Sequence, residues 1–323
     1  MHIVIPEDYQ DCVRHLECFT KLSDHTVTII NEPITSIQEQ IQQFKNAQVI
    51  VTIRERTKIS SELLAALPQL KLISQIGKIN THLDLLACKK YGVRISEGVG
   101  TGASTAELTI LLTLAALRNL VPEVNRLKNG LWQGYLGKQL RGKTFGILGL
   151  GKVGLQVAKL AQAFGANILV WGREGSITKA AQLGYQSASS KNHFYASCDI
   201  VSLHTRLYPQ TQGIVTLEDL QSMKTDSLFI NTSRAELIES GALEQALRSG
   251  RPGFAAVDVF ENEPVLQANH PLIHLPNCLC TPHLGYVEKD NFEAYFGSAF
   301  DHILLFAQGR TDMLLPVDTT ISQ

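Results

Sequence analysis

The chain has 323 residues, which is enough for two domains of ordinary size. Apolar residues make up 44% of it and charged residues 18%, the composition of a folded globular protein. A formal net charge of −1 provides no basic excess for binding a nucleic acid or an anionic membrane, so neither is expected as a partner.

Five short apolar runs in the first hundred residues predict β-strands. They begin at His2, Thr26, Ala47, Lys71 and Val93. Helical patterns lie between them, as in SSELLAAL from Ser60 and HLDLLACKKYG from His82. Strands that alternate with helices indicate a parallel sheet covered by helices on both faces.

The apolar stretch STAELTILLTLAALRNL, residues 104–120, predicts a buried helix that begins at a Ser/Thr cap and bridges two domains. A second series of strands and helices follows it. Its strands are predicted to begin at Thr144, Asn167, Asp199, Ser227, Gly253 and Cys278. A helical tail from Glu288 to Gln308 has no strand of its own to pair with, so we expect it to return to the first domain.

These elements predict an α/β protein with two doubly wound parallel-sheet domains. Residues 104–285 are assigned to a Rossmann dinucleotide-binding domain. Residues 1–103 and 286–323 are assigned to a discontinuous, flavodoxin-like substrate-binding domain.

The sequence GLGKVG, residues 149–154, lies between a predicted strand and a predicted helix and indicates a phosphate-binding turn. In this context Gly149 permits the tight turn, and Gly151 lets a pyrophosphate approach the backbone. Gly154 lets the helix pack closely on the strand. The alternative is a glycine-rich turn that binds no ligand.

Three polar residues lie where later strands end: Arg234 after FINTS, Glu263 in VFENEP and His283 in CTPHLG. Ligands of open α/β sheets bind at the carboxyl ends of the strands. Together these residues suit hydride exchange with a 2-oxo acid, with Arg234 on the carboxylate and His283 transferring the proton. Glu263 would fix the orientation of the imidazole, and no metal is needed. Taken singly, each of these three residues also fits a role on the surface. His204 lies at another strand end and is interpreted as part of the wall of the site rather than as its acid.

The residues that follow the strand NILVW indicate which cofactor, NADP or NAD, is expected. Gly172 stands where an acidic side chain would accept the ribose hydroxyls of NAD, and Arg173 follows it. Arg173 can offer a charge-assisted contact to the 2′-phosphate of NADP, and Ser176 a hydroxyl. In the alternatives, Glu174 turns to the ribose and restores NAD binding, or Arg173 stacks on the adenine. We therefore expect NADP or NAD, with NADP favoured.

Five segments together resemble the D-isomer-specific 2-hydroxyacid dehydrogenase family, which includes glyoxylate/hydroxypyruvate reductases and phosphoglycerate dehydrogenases. They read GILGLGKVG, CDIVSLH, MKTDSLFINTSRAEL, AAVDVFENEP and LPNCLCTPHLG. The resemblance implies two α/β domains and reduction of a small 2-oxo acid, such as glyoxylate or hydroxypyruvate, with a nicotinamide cofactor. It also implies a homodimer built through the helix at 104–120 and the segment after it.

The resemblance also implies roles for single residues. Arg234, Glu263 and His283 would be the catalytic set. Lys152 and Val153 would contact the pyrophosphate through their backbone. The residue expected to meet the nicotinamide amide is Asp258, and the one expected beside the cofactor phosphates is Thr105.

The segment SQIGKINTHLD departs from the family's substrate loop, because it is two residues longer and lacks the usual Asp-Asn. The resemblance still implies backbone donors to the substrate carboxylate at Gly77 and Lys78. VTIRERT matches a loop that places an arginine on the substrate phosphate in phosphoglycerate dehydrogenases, so Arg54 is a candidate for the distal end of a substrate. A surface arginine is the alternative. The regulatory carboxyl-terminal domain of many phosphoglycerate dehydrogenases is expected to be absent.

Two other functions stay open beside the 2-oxo acid reductase: a 3-phosphoglycerate dehydrogenase, and a non-catalytic protein that senses a dinucleotide. Formate oxidation is disfavoured, since formate dehydrogenases place a glutamine where Glu263 stands, whereas phosphite oxidation stays possible. The start MHIVIPEDYQ lacks the features of a signal peptide, and the six cysteines form no CxxC. We expect a cytoplasmic protein with free thiols, in which Cys278 and Cys280 lie in a strand.

Overall fold

The computed structural model describes residues 1–98, 100–310 and 314. The chain divides into two compact units: residues 1–100 with the segment that begins at Glu288, and Thr101–Val287. The predicted domain boundaries, after residues 103 and 285, lie close to these divisions and stay a prediction. Of the predicted substrate-binding domain, residues 99, 311–313 and 315–323 lie outside the described residues.

The described residues form twelve β-strands. They are β1 (His2–Ile5), β2 (Thr26–Ile29), β3 (Val49–Ile53), β4 (Leu72–Ile76), β5 (Arg94–Glu97), β6 (Thr144–Leu148), β7 (Asn167–Trp171), β8 (Gln186–Ser187), β9 (Ile200–Leu203), β10 (Leu228–Asn231), β11 (Phe254–Val257) and β12 (Cys278–Cys280).

The same residues form eleven α-helices. They are α1 (Ile37–Phe44), α2 (Ser61–Ala65), α3 (Leu85–Lys90), α4 (Ala103–Leu117), α5 (Leu120–Lys128), α6 (Lys152–Ala163), α7 (Glu174–Gln182), α8 (Lys191–Ser197), α9 (Leu217–Ser222), α10 (Ala242–Arg248) and α11 (Lys289–Ala307). Short 3-10 turns lie at Val13–His15, Glu17–Leu22, Pro209–Thr211, Ala235–Leu237 and Pro271–His274.

The sheet of the first unit has the order β2-β1-β3-β4-β5, and its strands pair in parallel. This is the flavodoxin-like order, as the sequence predicts. Every residue of β3 and β4 is buried, which explains why apolar residues occupy both faces of these strands. The tail helix α11 belongs to this unit, and Ser74 Oγ on β4 donates to the carbonyl of Ala299 at 3.0 Å.

The sheet of the second unit has the order β12-β11-β10-β9-β6-β7-β8, again with parallel pairs. The chain leaves β6 toward β7 on one side and later returns to β9 on the other, which is the Rossmann arrangement. Ligands bind such sheets where the direction reverses, beside β6. The two-residue strand β8 is not predicted by the sequence, because both of its residues are exposed and it has no apolar run.

The second sheet is held by aromatic side chains that lie wholly inside the unit. Phe145 on β6 and Phe229 on β10 have no exposed surface. Each fully buried side chain of this size stabilises the fold by about 1.5–3 kcal/mol relative to an exposed one. The strand ends that carry the polar residues are therefore fixed to a rigid support.

The start of helix α4 differs from the prediction. The Ser/Thr cap is wrong: the N-cap is Gly102, at φ 78°, with no side-chain cap. A Cβ at Gly102 would lie 3.0 Å from Val153 Cγ2, so glycine suits both the left-handed backbone and the close approach of α6. The helix also ends at Leu117 rather than Leu120, because the chain takes a left-handed turn at Asn119 before α5 begins.

In the described residues, no helix is by itself long and apolar enough for a membrane span. Helices α4 and α5 meet these criteria only when taken together, and the chain bends by 60° between them.

His204 directly follows β9 and lies beneath the glycine turn that joins β6 to α6. The amide of His204 donates to the carbonyl of Leu148 at 2.8 Å, and the ring Nε2 lies 2.8 Å from Ser202 Oγ. Within the described chain, Nδ1 is enclosed and has no partner. Burial lowers the pKa of His204 from its ordinary value of 6.5 to about 3, so the ring stays neutral near neutral pH.

We expect this histidine to make the fold sensitive to acid. Below pH 6.5 the unfolded chain gains a proton at this position and the native chain does not, until the pH falls to about 3. Stability is therefore lost as the pH falls, by about 2 kcal/mol between pH 7 and pH 5. In His204→Asn, the drop in free energy of unfolding over that interval, measured by urea titration, should shrink by this amount. The control is His193→Asn, at an exposed histidine; an equal drop in wild type and His204→Asn would contradict the account.

Candidate active site

The glycine turn has the geometry that a phosphate cradle requires. Gly149 has φ +95°, in the left-handed region. A Cβ at Gly154 would lie 2.2 Å from the carbonyl oxygen of Gly149, so only glycine lets α6 come this close to the turn. A Cβ at Gly151 would meet no atom within 4 Å, which leaves open space where a pyrophosphate can approach the backbone.

Helix α6 begins directly after this turn. Its first residues are Lys152 and Val153, and its N-cap, Gly151, provides no side-chain cap. The amino end of a helix carries a partial positive charge that favours an anion. The turn and the helix together therefore fit the pyrophosphate of a dinucleotide.

The end of β7 lies beside the turn. Ser176 Oγ accepts a hydrogen bond from the amide of Leu150 at 3.1 Å, so this hydroxyl braces the turn. Arg173 is the N-cap of α7 and is exposed. Its guanidinium carbon lies 5.9 Å from the ring centre of Tyr208. The contacts of Arg173 and Ser176 with a 2′-phosphate stay predictions.

His283 and Glu263 form a close pair at the carboxyl ends of the neighbouring strands β12 and β11. His283 Nδ1 lies 2.6 Å from Glu263 Oε2. The other carboxylate oxygen accepts from the amide of Phe260 at 2.8 Å, which fixes the glutamate. The side chains are 18% and 30% exposed, so the pair is partly shielded and still reachable.

The backbone of His283 has φ +52°, which is uncommon for a residue with a side chain. The buried Asp258 holds the segment in this shape. Its Oδ1 accepts from Thr281 Oγ1 at 2.6 Å and from the amide of Leu284 at 2.7 Å, and its Oδ2 accepts from the amide of Gly285 at 2.8 Å. Burial raises the pKa of Asp258, an effect these hydrogen bonds only partly oppose. Sequence reasoning missed this role, although an acid directly after an apolar strand signals it.

Two further residues support the histidine segment. Tyr286 packs edge-on against His283, with ring centres 5.2 Å apart. Thr105 Oγ1, on α4, donates to the carbonyl of Gly285 at 2.8 Å. The predicted contact of Thr105 with cofactor phosphates stays a prediction, and the structure adds this anchoring bond.

Arg234 lies in a turn after β10, the neighbour of β11 in the sheet. The buried Asn231 shapes the turn: its amide nitrogen donates to the carbonyl of Arg234 at 2.8 Å, and its oxygen accepts from the amide of Ser233 at 2.9 Å. Ser233 Oγ donates to the carbonyl of Leu203 on β9 at 2.7 Å. Sequence reasoning missed Asn231, whose position in FINTSR at a strand end is the available signal.

In the first unit, the structure places Arg54 against Gly77. Arg54 follows β3 with φ +54°, and a Cβ at Gly77 would lie 2.0 Å from Arg54 Nη1. The fully buried Gln75 donates to the carbonyl of Arg54 at 3.0 Å and accepts from Thr52 Oγ1. The ammonium of Lys78 pairs with the carboxylate of Glu97, so its charge is engaged.

The thiols and the acidic groups indicate no other chemistry. In the part of the chain that the structure describes, no three His, Cys, Asp or Glu side chains could hold a metal ion. All six cysteines are free, and Cys278 and Cys280 lie in β12 with their sulfurs 3.7 Å apart. Burial raises the pKa of Cys12, Cys18, Cys88 and Cys198 to about 12, so few of these thiols ionise near neutral pH.

The second unit thus brings a phosphate cradle and a histidine–glutamate pair to the same edge of one sheet. The arrangement can bind a dinucleotide and can transfer a proton beside it. Arg234 lies in the turn after β10, a strand located between these two features in the sheet. Arg54, Gly77 and Lys78 belong to the other unit, where the first two are adjacent.

Comparison with known proteins agrees with this geometry. The family described as "D-isomer specific 2-hydroxyacid dehydrogenase, NAD binding domain" matches residues 110–285. A solved structure titled phosphoglycerate oxidoreductase, from Vibrio cholerae, is 50% identical and superimposes with a TM-score of 0.93 over 96% of this chain and 99% of that one. One titled putative D-3-phosphoglycerate dehydrogenase, from Ralstonia solanacearum, is 43% identical, with a TM-score of 0.94 over 97% and 96%.

A curated relative named glyoxylate reductase, from Aeropyrum pernix, is 34% identical over 78% of this chain and 78% of its own length. By contrast, the chain spans about half the length of the curated D-3-phosphoglycerate dehydrogenases that it matches. The family match, the identity and the coverage together lead to one conclusion. The chain belongs to the D-isomer-specific 2-hydroxyacid dehydrogenase family.

Proposed function

We propose that the protein reduces a small 2-oxo acid to the D-2-hydroxy acid with a nicotinamide cofactor, and that it favours NADP over NAD. The observation that most supports the reduction of a 2-oxo acid is the 2.6 Å contact between His283 and Glu263, at the same sheet edge as the glycine turn. Glyoxylate and hydroxypyruvate are the proposed substrates, and the relative named glyoxylate reductase supports this class.

His283 is the proposed acid and base. Because Nδ1 is bound to Glu263, Nε2 is the nitrogen left to exchange a proton with the substrate. A reduced nicotinamide, when bound, would supply the hydride that the carbonyl carbon accepts. His283 gives its proton to the carbonyl oxygen, so that an alcohol forms rather than an alkoxide, and it takes the proton back in the oxidation. Glu263 keeps the ring in one orientation.

Arg234 is the proposed anchor for the substrate carboxylate. A guanidinium presents two parallel N–H donors that match a carboxylate, and it remains charged at every working pH. Asn231 and Ser233 hold the backbone on either side of it. The positive charge also draws electron density from the ketone, which favours attack by the hydride.

The cofactor contacts are proposed as the sequence predicts them. Gly149, Gly151 and Gly154 shape the cradle, and Lys152 and Val153 present the amino end of α6 to the pyrophosphate. Thr105 lies by the phosphates, and Asp258 meets the nicotinamide amide. Asp258 Oδ2 accepts one bond, from Gly285, and a carboxylate oxygen has room for a second donor.

The first unit is proposed to contribute substrate contacts at Arg54, Gly77 and Lys78. A second candidate, 3-phosphoglycerate oxidation, draws support from Arg54, whose guanidinium lies against Gly77 and suits a distal phosphate. Assays with glyoxylate, hydroxypyruvate, pyruvate and 3-phosphoglycerate, each with NADPH or NADP and with NADH or NAD, separate the candidates. Binding of a dinucleotide without turnover of any of them would favour the non-catalytic sensor.

We expect His283→Ala to lower kcat by about 10²–10⁴-fold, the usual contribution of general acid–base catalysis. Binding of the dinucleotide, measured by calorimetry, should survive, because the glycine turn is untouched. Glu263→Gln should lower kcat less, since an amide can still hold the ring. Near wild-type turnover in His283→Ala would overturn the assignment.

Arg234→Lys provides the complementary measurement. An ammonium cannot form the two parallel bonds of a guanidinium, so KM for the 2-oxo acid should rise together with the loss of kcat. If kcat alone falls, the carboxylate is held elsewhere, and the backbone at Gly77 and Lys78 becomes the candidate.

The preference for NADP is proposed from Arg173. One charge-assisted hydrogen bond corresponds to about 10- to 150-fold in affinity, so NADPH should be favoured by about tenfold or more in kcat/KM. Arg173→Ala should move the ratio toward NADH, whereas Arg248→Ala, at an exposed arginine on α10, should leave it unchanged. A wild type that prefers NADH, with no change in Arg173→Ala, would contradict the preference.

A homodimer is proposed from the apolar surface of α5 and the segment after it. Helix α5 has no buried residue. Leu127, Trp132 and Leu136 are 60%, 75% and 97% exposed. Such side chains in one segment favour a protein partner, here a second copy. The predicted cytoplasmic location remains a prediction.

Sedimentation should therefore give about twice the chain mass of 35.6 kDa. The double change Trp132→Lys with Leu136→Lys should yield the monomer. The matched control is Leu86→Lys, at a leucine of α3 that is 76% exposed, and it should leave the dimer intact. A wild type that sediments as a monomer would exclude the dimer.

A further inference from the structure

Two arginines from different strand ends contact one aromatic ring. Arg173 follows β7 and Arg206 follows β9, and these strands flank β6 on either side. The guanidinium carbons of Arg173 and Arg206 lie 5.9 Å and 5.1 Å from the ring centre of Tyr208. The chain after β9 thus folds over toward the end of β7. Sequence reasoning gave no role to Arg206 or Tyr208.

Among the described residues, neither of the two arginines that contact this ring is neutralised by a carboxylate. In residues 1–98, 100–310 and 314, neither Arg173 nor Arg206 takes part in an ion pair, and Glu174, next to Arg173 in sequence, pairs with neither. Both arginines are exposed. Like charges on one ring repel, and an anion that binds both removes this repulsion.

The position of the pair identifies the anion. The second strand of a Rossmann unit ends at the adenosine ribose, and Arg173 lies two residues after the end of that strand, β7. The pyrophosphate is proposed to bind at the glycine turn, so it is not the anion for Arg173 and Arg206. A phosphate monoester carries a charge of about −1.5 to −2 near neutral pH, which matches two guanidiniums better than one.

We propose that Arg206 is a second specificity-determining residue, which binds the adenosine 2′-phosphate together with Arg173, and that Tyr208 positions both guanidiniums. The proposal rests on the proposed preference for NADP. The face of a tyrosine ring attracts a guanidinium and restricts its motion, so both arginines are held in place before the phosphate arrives. Loss of either arginine then weakens recognition of the phosphate and leaves the rest of the dinucleotide site unchanged.

Fragments of the cofactor provide a test that does not depend on catalysis. Calorimetry compares adenosine 2′,5′-bisphosphate with adenosine 5′-monophosphate, which differ only in the 2′-phosphate. The wild type should bind the bisphosphate more tightly, and Arg206→Gln should reduce this ratio by about tenfold, the loss of one charged hydrogen bond. Arg206→Lys should reduce it less, and Arg248→Gln, which removes the same charge from α10, should not change it.

Two further variants test the role of the Tyr208 ring. Tyr208→Phe keeps the aromatic face and should keep the ratio, whereas Tyr208→Leu keeps much of the bulk without the face and should lower it. Raising the salt concentration should lower the wild-type ratio more than that of Arg206→Gln, because the extra contact is ionic and exposed.

The outcomes separate this proposal from the function on which it rests. If Arg173→Gln lowers the ratio and Arg206→Gln does not, the second cation is refuted while the NADP preference stands. If the wild type binds both fragments equally, the NADP preference and the role of Arg206 both fail, and reduction of 2-oxo acids with NADH remains to be judged by assay. A lower ratio in both arginine variants supports the proposal.

Discussion

The candidate active site depends on the hydrogen bonds that the buried carboxylate of Asp258 accepts. It accepts bonds from Thr281, Leu284 and Gly285, so the segment that carries His283 cannot leave β11 without stranding a buried charge and its donors. Each unsatisfied buried group costs about 1–3 kcal/mol, and a charged group costs more. The segment therefore keeps the left-handed turn at His283, and the imidazole stays within reach of Glu263.

The strand order of the second sheet separates the residues proposed to bind the adenosine end of the cofactor from the residues proposed to react with the substrate. Strand β6 lies between β7 and β9 and leads into the glycine turn. On one side, Arg173 follows β7, where the adenosine end of a dinucleotide would lie. On the other side, β10, β11 and β12 are followed in the chain by Arg234, Glu263 and His283. This division fits the proposed chemistry, which requires the reacting groups to lie at the nicotinamide end of the dinucleotide.

The sequence predicts the parts of the fold that have a recognisable pattern of apolar residues. Strands β3 and β4 carry apolar residues on both faces because both faces are buried, and the pairing of Glu263 with His283 followed from two parallel strands ending at one edge. The exposed strand β8 and the glycine cap at Gly102 have no such pattern.

The parts of the site that the sequence does not predict rest on single contacts between distant residues. The bond from Thr105 to Gly285 joins residues far apart in the chain, and its donor has a common residue type on a helix. The same holds for the approach of Arg173 and Arg206 to Tyr208, which depends on how one loop folds over another. Asn231 acts on the backbone around the reacting groups, and so does Asp258 beside its predicted contact with the cofactor. Sequence reasoning that looks for reacting groups does not find these backbone roles.

The central claim is that this sheet edge reduces a 2-oxo acid with fixed stereochemistry. Its most direct test is the reduction of hydroxypyruvate with NADPH carrying deuterium at both C4 positions, followed by chiral separation and mass analysis of the glycerate. The account predicts D-glycerate with deuterium at C2 and one NADP formed for each molecule. L-glycerate, a racemic product or no deuterium at C2 would contradict it.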